Sequence, residues 1–261
     1  MSRVLTKKTK VAGPNVAFDF SWFGTTIEII SQDRSNRLAS VCDFVASLDQ
    51  EWAQIKLAEL ERNRKENHHY SPLRHITIKE TDHSKLLGEL LDPNGSHGQG
   101  PLFLESFLTR IGIHAPAQGT WNVTVELGRI DILMRRDNPQ SVVIIENKAN
   151  DAEDQDGQLY RYWFSEIYSR NPNLDYSDPD TAARFKIIYA PALTYSRPID
   201  SSLQRPSDLP GAPVHIPILP LSIDYMFFRT DLAPWLEQMA TKVSNVRLRV
   251  FLKLYAEIWG I

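Results

Sequence analysis

Residues 126–148 read Glu-Leu-Gly-Arg-Ile-Asp-Ile-Leu-Met-Arg-Arg-Asp-Asn-Pro-Gln-Ser-Val-Val-Ile-Ile-Glu-Asn-Lys. From Arg129 to Arg136 the residues alternate, with Ile130, Ile132 and Met134 on one face and Asp131 and Leu133 on the other. A period of two marks a strand. Asp137-Asn138-Pro139-Gln140 is turn chemistry. The run Val142-Val143-Ile144-Ile145 is β-branched throughout and predicts a buried strand, with Glu146, Asn147 and Lys148 at its exit. Upstream, Trp121 to Leu127 alternates with Val123, Val125 and Leu127 on one face, until Gly128 breaks it. The reading is three sequential antiparallel strands.

Glu146 and Lys148 are two apart on a strand, so they project to the same side. Pairing through the 137–140 turn brings Asp131 beside Glu146. Two carboxylates that close repel, and a divalent cation relieves the repulsion. Mg²⁺ takes few carboxylates, several waters and a phosphate oxygen. The carbonyl of Asn147 is a candidate third ligand, and Lys148 is placed to hold an attacking water and offset charge on a transition state. The competing account is a solvated strand end with a cross-strand ion pair.

Outward from this centre, Glu153 to Arg170 predicts a helix with Asp151 as N-cap and Leu159, Trp163, Phe164 and Ile167 inward. Gln158 and Tyr162 share one face of it, with Gln155 near that face. Phe185–Tyr189 predicts a fourth strand and Val214–Leu219 a last one, confined to an edge by Pro217. Helices are expected at Asp231–Ala240 and Val243–Trp259. Before the strands, Leu86, Leu87, Leu90 and Leu91 stripe a helix from Glu80 that Asp92-Pro93-Asn94-Gly95 stops. A second follows from Phe103 to Ile111. From Arg34 to Glu66, Leu38, Val41, Val45, Leu48, Trp52, Ile55 and Leu60 recur every three to five residues, as on an amphipathic helix. The organisation expected is a helical extension over 1–75 and an α/β domain over 76–261.

The chain has 261 residues, 42% of them hydrophobic, with formal net charge -3 from 29 Lys+Arg and 32 Asp+Glu. That excludes a uniformly basic nucleic-acid packer but leaves room for a local basic groove. The single cysteine, Cys42, excludes an intramolecular disulfide and a zinc site built on several thiolates. No apolar run reaches the roughly 18 residues of a membrane span, and the basic start (Arg3, Lys7, Lys8, Lys10) lacks a signal-peptide core. The expected compartment is the cytoplasm, with no membrane partner.

The segments Glu126–Ile132, Val143–Lys148 and Gln155 with Gln158–Tyr162 together resemble the PD-(D/E)XK nuclease superfamily. The Gln-x-x-x-Tyr element is similar to that of its RecB-like branch. The upstream segment (His83-Ser84, then Leu90 to Gly98 and Phe103-Leu104) resembles a bacterial family of that superfamily. Ile130 stands where the family name has proline.

The resemblance covers roughly Glu80 to Ala190 and implies a restriction-endonuclease-like α/β core, α-β-β-β-α-β with a mixed sheet flanked by helices; the helical additions at both ends come from the hydrophobic pattern. It implies metal-dependent phosphodiester hydrolysis of DNA, RNA not being excluded, with Mg²⁺ or Mn²⁺, in defence, restriction or repair. It assigns Asp131 and Glu146 to the metal, Lys148 to catalysis and Gln158 and Tyr162 to the site wall. Glu80 is the candidate extra acid, against Asp82 and Glu89. Arg129, His83, His97 and Gln155 are candidate substrate contacts, with structural roles weighed for both histidines. Arg135 and Arg136 are either phosphate contacts or solvated strand ends, and Trp121 and Tyr160 either stack on bases or fill the core. A homodimer or a protein partner would meet the chain through the 34–66 helix. A catalytically silent binding module on the same fold is the alternative.

Overall fold

The structure is a computed structural model that describes residues 21–66, 71–193 and 195–260. The basic N-terminal residues lie outside the described residues, as do His68 and His69, adjacent histidines that resemble a metal pair in composition only. The chain divides into two units, 1–70 and 71–261.

In the first unit, helix α1 spans Ser21–Glu66 and so starts well before Arg34. Every residue of it whose side chain is described is exposed.

The second unit opens with a 3-10 turn, Pro72–His75, tied down by Arg74, whose guanidinium donates to the Glu257 carbonyl at 3.1 Å. Helices α2 (Glu80–Leu91) and α3 (Leu102–Arg110) follow, then strands β1 (Trp121–Leu127), β2 (Ile130–Arg136) and β3 (Ser141–Lys148). Helix α4 (Gln158–Glu166), a short α5 (Pro179–Ala182), strand β4 (Phe185–Pro191), a short α6 (Asp200–Leu203) and strand β5 (Ile223–Tyr225) come next. Helices α7 (Ala233–Lys242) and α8 (Val246–Glu257) close the chain. The sheet order is β1-β2-β3-β4-β5. The first three strands are antiparallel, and β3, β4 and β5 run parallel. This is the mixed, helix-flanked sheet that the family resemblance implies.

Leu127 pairs with Ile130 across a two-residue hairpin whose central residues, Gly128 and Arg129, have φ of 62° and 70°. Positive φ at both positions is what a type I′ turn needs to match strand twist. Arg129 therefore sits in the turn rather than on the β2 face. Glu126 also has positive φ (56°), and Asp131 opposite it has no partner in either ladder. This local break has a consequence for packing. Ile130 joins Leu133 on the α4 side, while Ile132 and Met134 pack on the other face. The single face expected for Ile130, Ile132 and Met134 is corrected accordingly.

On one side of the sheet Ile132, Met134, Val143, Ile145 and Ile188 pack with α2, α3, α7 and α8. On the other, Leu133, Val142, Ile144 and Ile187 pack with Leu159, Tyr160 and Trp163 of α4. All eight residues of β3 are buried, as its β-branched run requires.

Two sequence expectations shift. The helix read from Glu153 begins at Gln158, and its N-cap is Gly157 (φ 66°) rather than Asp151. A Cβ at Gly157 would lie 2.8 Å from Pro206, so only glycine fits this entry. Val214–Leu219 is irregular apart from one bridge between Gln204 and Ile218, and the fifth strand is Ile223–Tyr225. Pro213, Pro217 and Pro220 withhold the amide donors a ladder needs.

Candidate active site

The exit of β3 carries the site. Strand alternation sends Glu146 and Lys148 toward α4 and Asn147 toward α2. The Asn147 amide donates to the Glu80 carbonyl and to Ser84 Oγ, both at 2.9 Å, which pins the strand end to the start of α2. The Asn147 backbone N–H donates to Asp131 Oδ2 at 2.7 Å. The ladder break at Asp131 thus turns its carboxylate onto the β3 exit.

Lys148 Nζ lies 2.9 Å from Glu146 Oε1. The same oxygen accepts from Gln158 Nε2 at 2.7 Å. Gln158 also donates to Tyr162 Oη at 2.9 Å, and that hydroxyl donates to the Arg129 carbonyl at 2.5 Å. One line of hydrogen bonds therefore runs from the lysine to the hairpin turn. The four-residue spacing of Gln158 and Tyr162 gives it the right pitch.

Glu146 is 2% exposed, and its Oε2 has no hydrogen-bond partner. A buried carboxylate oxygen left unpaired is costly, so this position suits a proton, a water or a cation. Burial, and then the charge of Asp131, push the Glu146 carboxyl up to about 8. Burial also raises Asp131, to about 6, against the pull of the Asn147 N–H, with Glu126 and Glu80 adding to the rise. Burial alone would lower the Lys148 ammonium, but Glu146 and Asp154 outweigh it and hold the group above its ordinary value. Lys148 is a cation here, not a base.

These shifts set a pH dependence. Both carboxyls have folded-state values above their unfolded 3.8 and 4.5, so the folded state binds the extra protons. Their stabilising contribution is complete below about pH 4 and is lost as the pH rises through about 6 and about 8. The melting temperature of EDTA-treated protein should fall across that window. Added Mg²⁺ should flatten the fall, because a cation replaces the protons. A melting curve equally steep with and without the metal would contradict a cation between these groups.

Among the described residues, no group of three or more His, Cys, Asp or Glu is arranged to hold a metal. The candidate set is therefore two carboxylates, Asp131 and Glu146, with the Asn147 carbonyl. That is the sparse oxygen set Mg²⁺ accepts, and the unpaired Glu146 Oε2 fits it. Glu80 stands close enough to raise Asp131, but its own Oε1 accepts from the Asn150 N–H at 3.3 Å.

The substrate candidates separate. Arg129 is exposed at the hairpin turn above Tyr162. Gln155 is exposed, and its backbone N–H orients the Gln158 amide at 3.1 Å. His83 is not brought to the cleft. It is 3% exposed, its Nδ1 is 2.8 Å from Tyr255 Oη, and it packs among Phe228, Tyr255 and Trp259. Burial lowers it to about 4, so it is neutral. His97 staples its own loop, with Nε2 2.9 Å from the Asp92 carbonyl and Nδ1 accepting from the Gln99 N–H. The phosphate reading of Arg135 and Arg136 is also corrected. Arg135 pairs with Glu166, and Arg136 is buried beside Trp121. Tyr160 is a core residue, its hydroxyl donating to the Ile216 carbonyl.

Asp154 is the residue that sequence reasoning missed. Its buried carboxylate lies 3.4 Å from Lys148 Nζ and accepts from Tyr189 Oη and the Ile199 N–H. With the Glu153 carbonyl at 3.3 Å, the three donors of Lys148 have three acceptors. Asp154, Tyr189, Lys148 and Arg197 line a cleft of about 420 Å³ beside the carboxylates.

If Glu146 is a metal ligand, replacing Gln158 with Leu should weaken Mg²⁺ binding roughly 10–100-fold, since Gln158 orients the Glu146 carboxyl. Calorimetric titration of the metal measures it, and an unchanged affinity would remove Gln158 from the site. A family model described as the PD-(D/E)XK nuclease superfamily matches residues 70–256, more than half of the chain. No curated protein and no solved structure matches the chain.

Proposed function

Since the chain belongs to the PD-(D/E)XK nuclease superfamily, we propose that it is a Mg²⁺-dependent deoxyribonuclease, with Mn²⁺ able to substitute. The observation that supports this best is the buried Glu146 carboxylate. One oxygen is held by Lys148 and Gln158, and the other has no partner.

Asp131 and Glu146, with the Asn147 carbonyl, would hold the cation, whose chemistry when bound would be to neutralise phosphate charge and make water more acidic. The protein's own groups do the rest. Lys148, held as a cation by Glu146 and Asp154, would offset charge growing on the phosphoryl oxygens, and would reach an attacking water only by exchanging its longest contact, the 3.4 Å one to Asp154. Gln158 and Tyr162 keep Glu146 from turning away. Arg129, exposed at the hairpin, is placed to meet the backbone of the substrate. No helix among the described residues is long and apolar enough to cross a membrane. We place the activity in the cytoplasm.

The test is cleavage of single- and double-stranded DNA and of RNA, with Mg²⁺ or Mn²⁺ against EDTA. DNA cleavage that needs the metal and is lost in Lys148→Ala supports the reading. Cleavage of RNA alone overturns the substrate, and tight DNA binding without cleavage under either metal overturns the activity.

A further inference from the structure

Helix α1 spans 46 residues, about 69 Å at 1.5 Å per residue. Within it, Leu38, Val41, Val45, Leu48, Trp52 and Ile55 follow a strict 3-4-3-4-3 spacing. All six are exposed, from 46% for Leu48 to 58% for Trp52. A helix laid on a globular core carries a wider apolar stripe with period 3.6. A seam with period 3.5 stays in line only when two helices coil around each other.

The heptad positions agree. With Leu38, Val45 and Trp52 at a and Val41, Leu48 and Ile55 at d, the outward positions b, c and f between them are small or polar. They include Ser40, Asp43, Ser47, Gln50 and Gln54. The seam is bounded. The next a and d residues downstream are Glu59 and Arg62, and those upstream are Ser31 and Arg34. The seam fills three a and three d positions, about the least that specifies a coiled coil.

We infer that this seam pairs with the same seam of a second copy, as a parallel, in-register two-stranded coiled coil over residues 38–55. Charge selects the occupant and its direction. In a parallel pair each g residue meets the e residue five positions on in the other strand. That sets Glu51 of one copy against Lys56 of the other, twice by symmetry. The inference does not depend on the nuclease reading.

Sedimentation of the full chain at tens of micromolar should give twice the 29.9 kDa mass. Leu48→Glu should give a monomer with its circular dichroism and the melting of the second unit kept. Glu51→Lys should weaken association several-fold, and Glu51→Lys combined with Lys56→Glu should restore it. In a Cys42→Ser background, Leu48→Cys should oxidise to a linked dimer, because d residues of a parallel pair face each other. A monomeric wild type, a dimer that survives Leu48→Glu, or a dimer that Leu48→Cys fails to link would each overturn the inference.

Discussion

Asp131→Asn is expected to lower kcat by at least about 10³-fold, in line with the loss of a group acting on transition-state charge. At the same time it should raise the stability of the metal-free protein. The two effects have one cause. Asn keeps an oxygen that can accept the Asn147 N–H, now made by Asp131 at 2.7 Å, so the β3 exit stays in place. What is lost is the charge that helps push Glu146 up to about 8. Above about pH 8, where both carboxyls are ionised, the wild-type pair repels without a cation and the variant does not. Mg²⁺ should therefore stabilise the wild type more than the variant. Melting of both proteins with EDTA and with Mg²⁺, beside a cleavage assay, reads all three quantities. A variant that is inactive and also less stable in EDTA would indicate a structural role for Asp131 instead.

The sequence reading reached the site where the chemistry lies within one or two strands or one helical turn. Strand alternation is enough to place Glu146 and Lys148 together, and helical pitch is enough to pair Gln158 with Tyr162. It failed where a contact joins distant elements. Asp154 lies in an acid-rich turn with no periodicity, and its role depends on Tyr189 of β4 and on the Ile199 amide. His83 is a candidate substrate contact by its place in the resembling segment, but its environment is supplied by Phe228, Tyr255 and Trp259 from the end of the chain. The break at Asp131 has the same character. Alternation predicts a regular face, and positive φ at Glu126 and Arg129 overrides it. Local rules fail most where the site is built, as expected when function imposes geometry that packing alone would not choose.

The net charge of -3 takes on a different meaning with this geometry. Acid is concentrated where a cation would sit, and a bound cation reverses the local sign. Of the basic residues read as DNA contacts from sequence, Arg129 remains at the surface, while Arg135 and Arg136 are committed to the protein.

Arg136→Leu should accordingly act on folding and not on substrate. The expected loss is about 4 kcal/mol of stability, large for one residue. All five guanidinium donors are used. Nε donates to the Pro139 carbonyl at 3.0 Å, and Nη1 to the carbonyls of Ala115 and Gln118. Nη2 donates to the His114 carbonyl at 2.9 Å and to Ser141 Oγ at 2.8 Å. The Trp121 ring lies 4.6 Å from the guanidinium carbon. This one side chain ties the 114–118 loop to the β2–β3 turn. Leucine would leave the His114 and Gln118 carbonyls without a donor, while those of Ala115 and Pro139 keep the Gln118 N–H and the Ser141 hydroxyl. Lysine should rescue only part of the loss, because a point charge with three donors cannot reproduce a planar fork of five. Urea unfolding of the wild type, Arg136→Leu and Arg136→Lys measures the series. Arg129→Ala is the control: it should leave unfolding unchanged and reduce the salt dependence of DNA binding by about one ion. If Arg136→Leu instead kept its stability and weakened DNA binding, Arg136 would be a substrate contact and not a tie between the 114–118 loop and the β2–β3 turn.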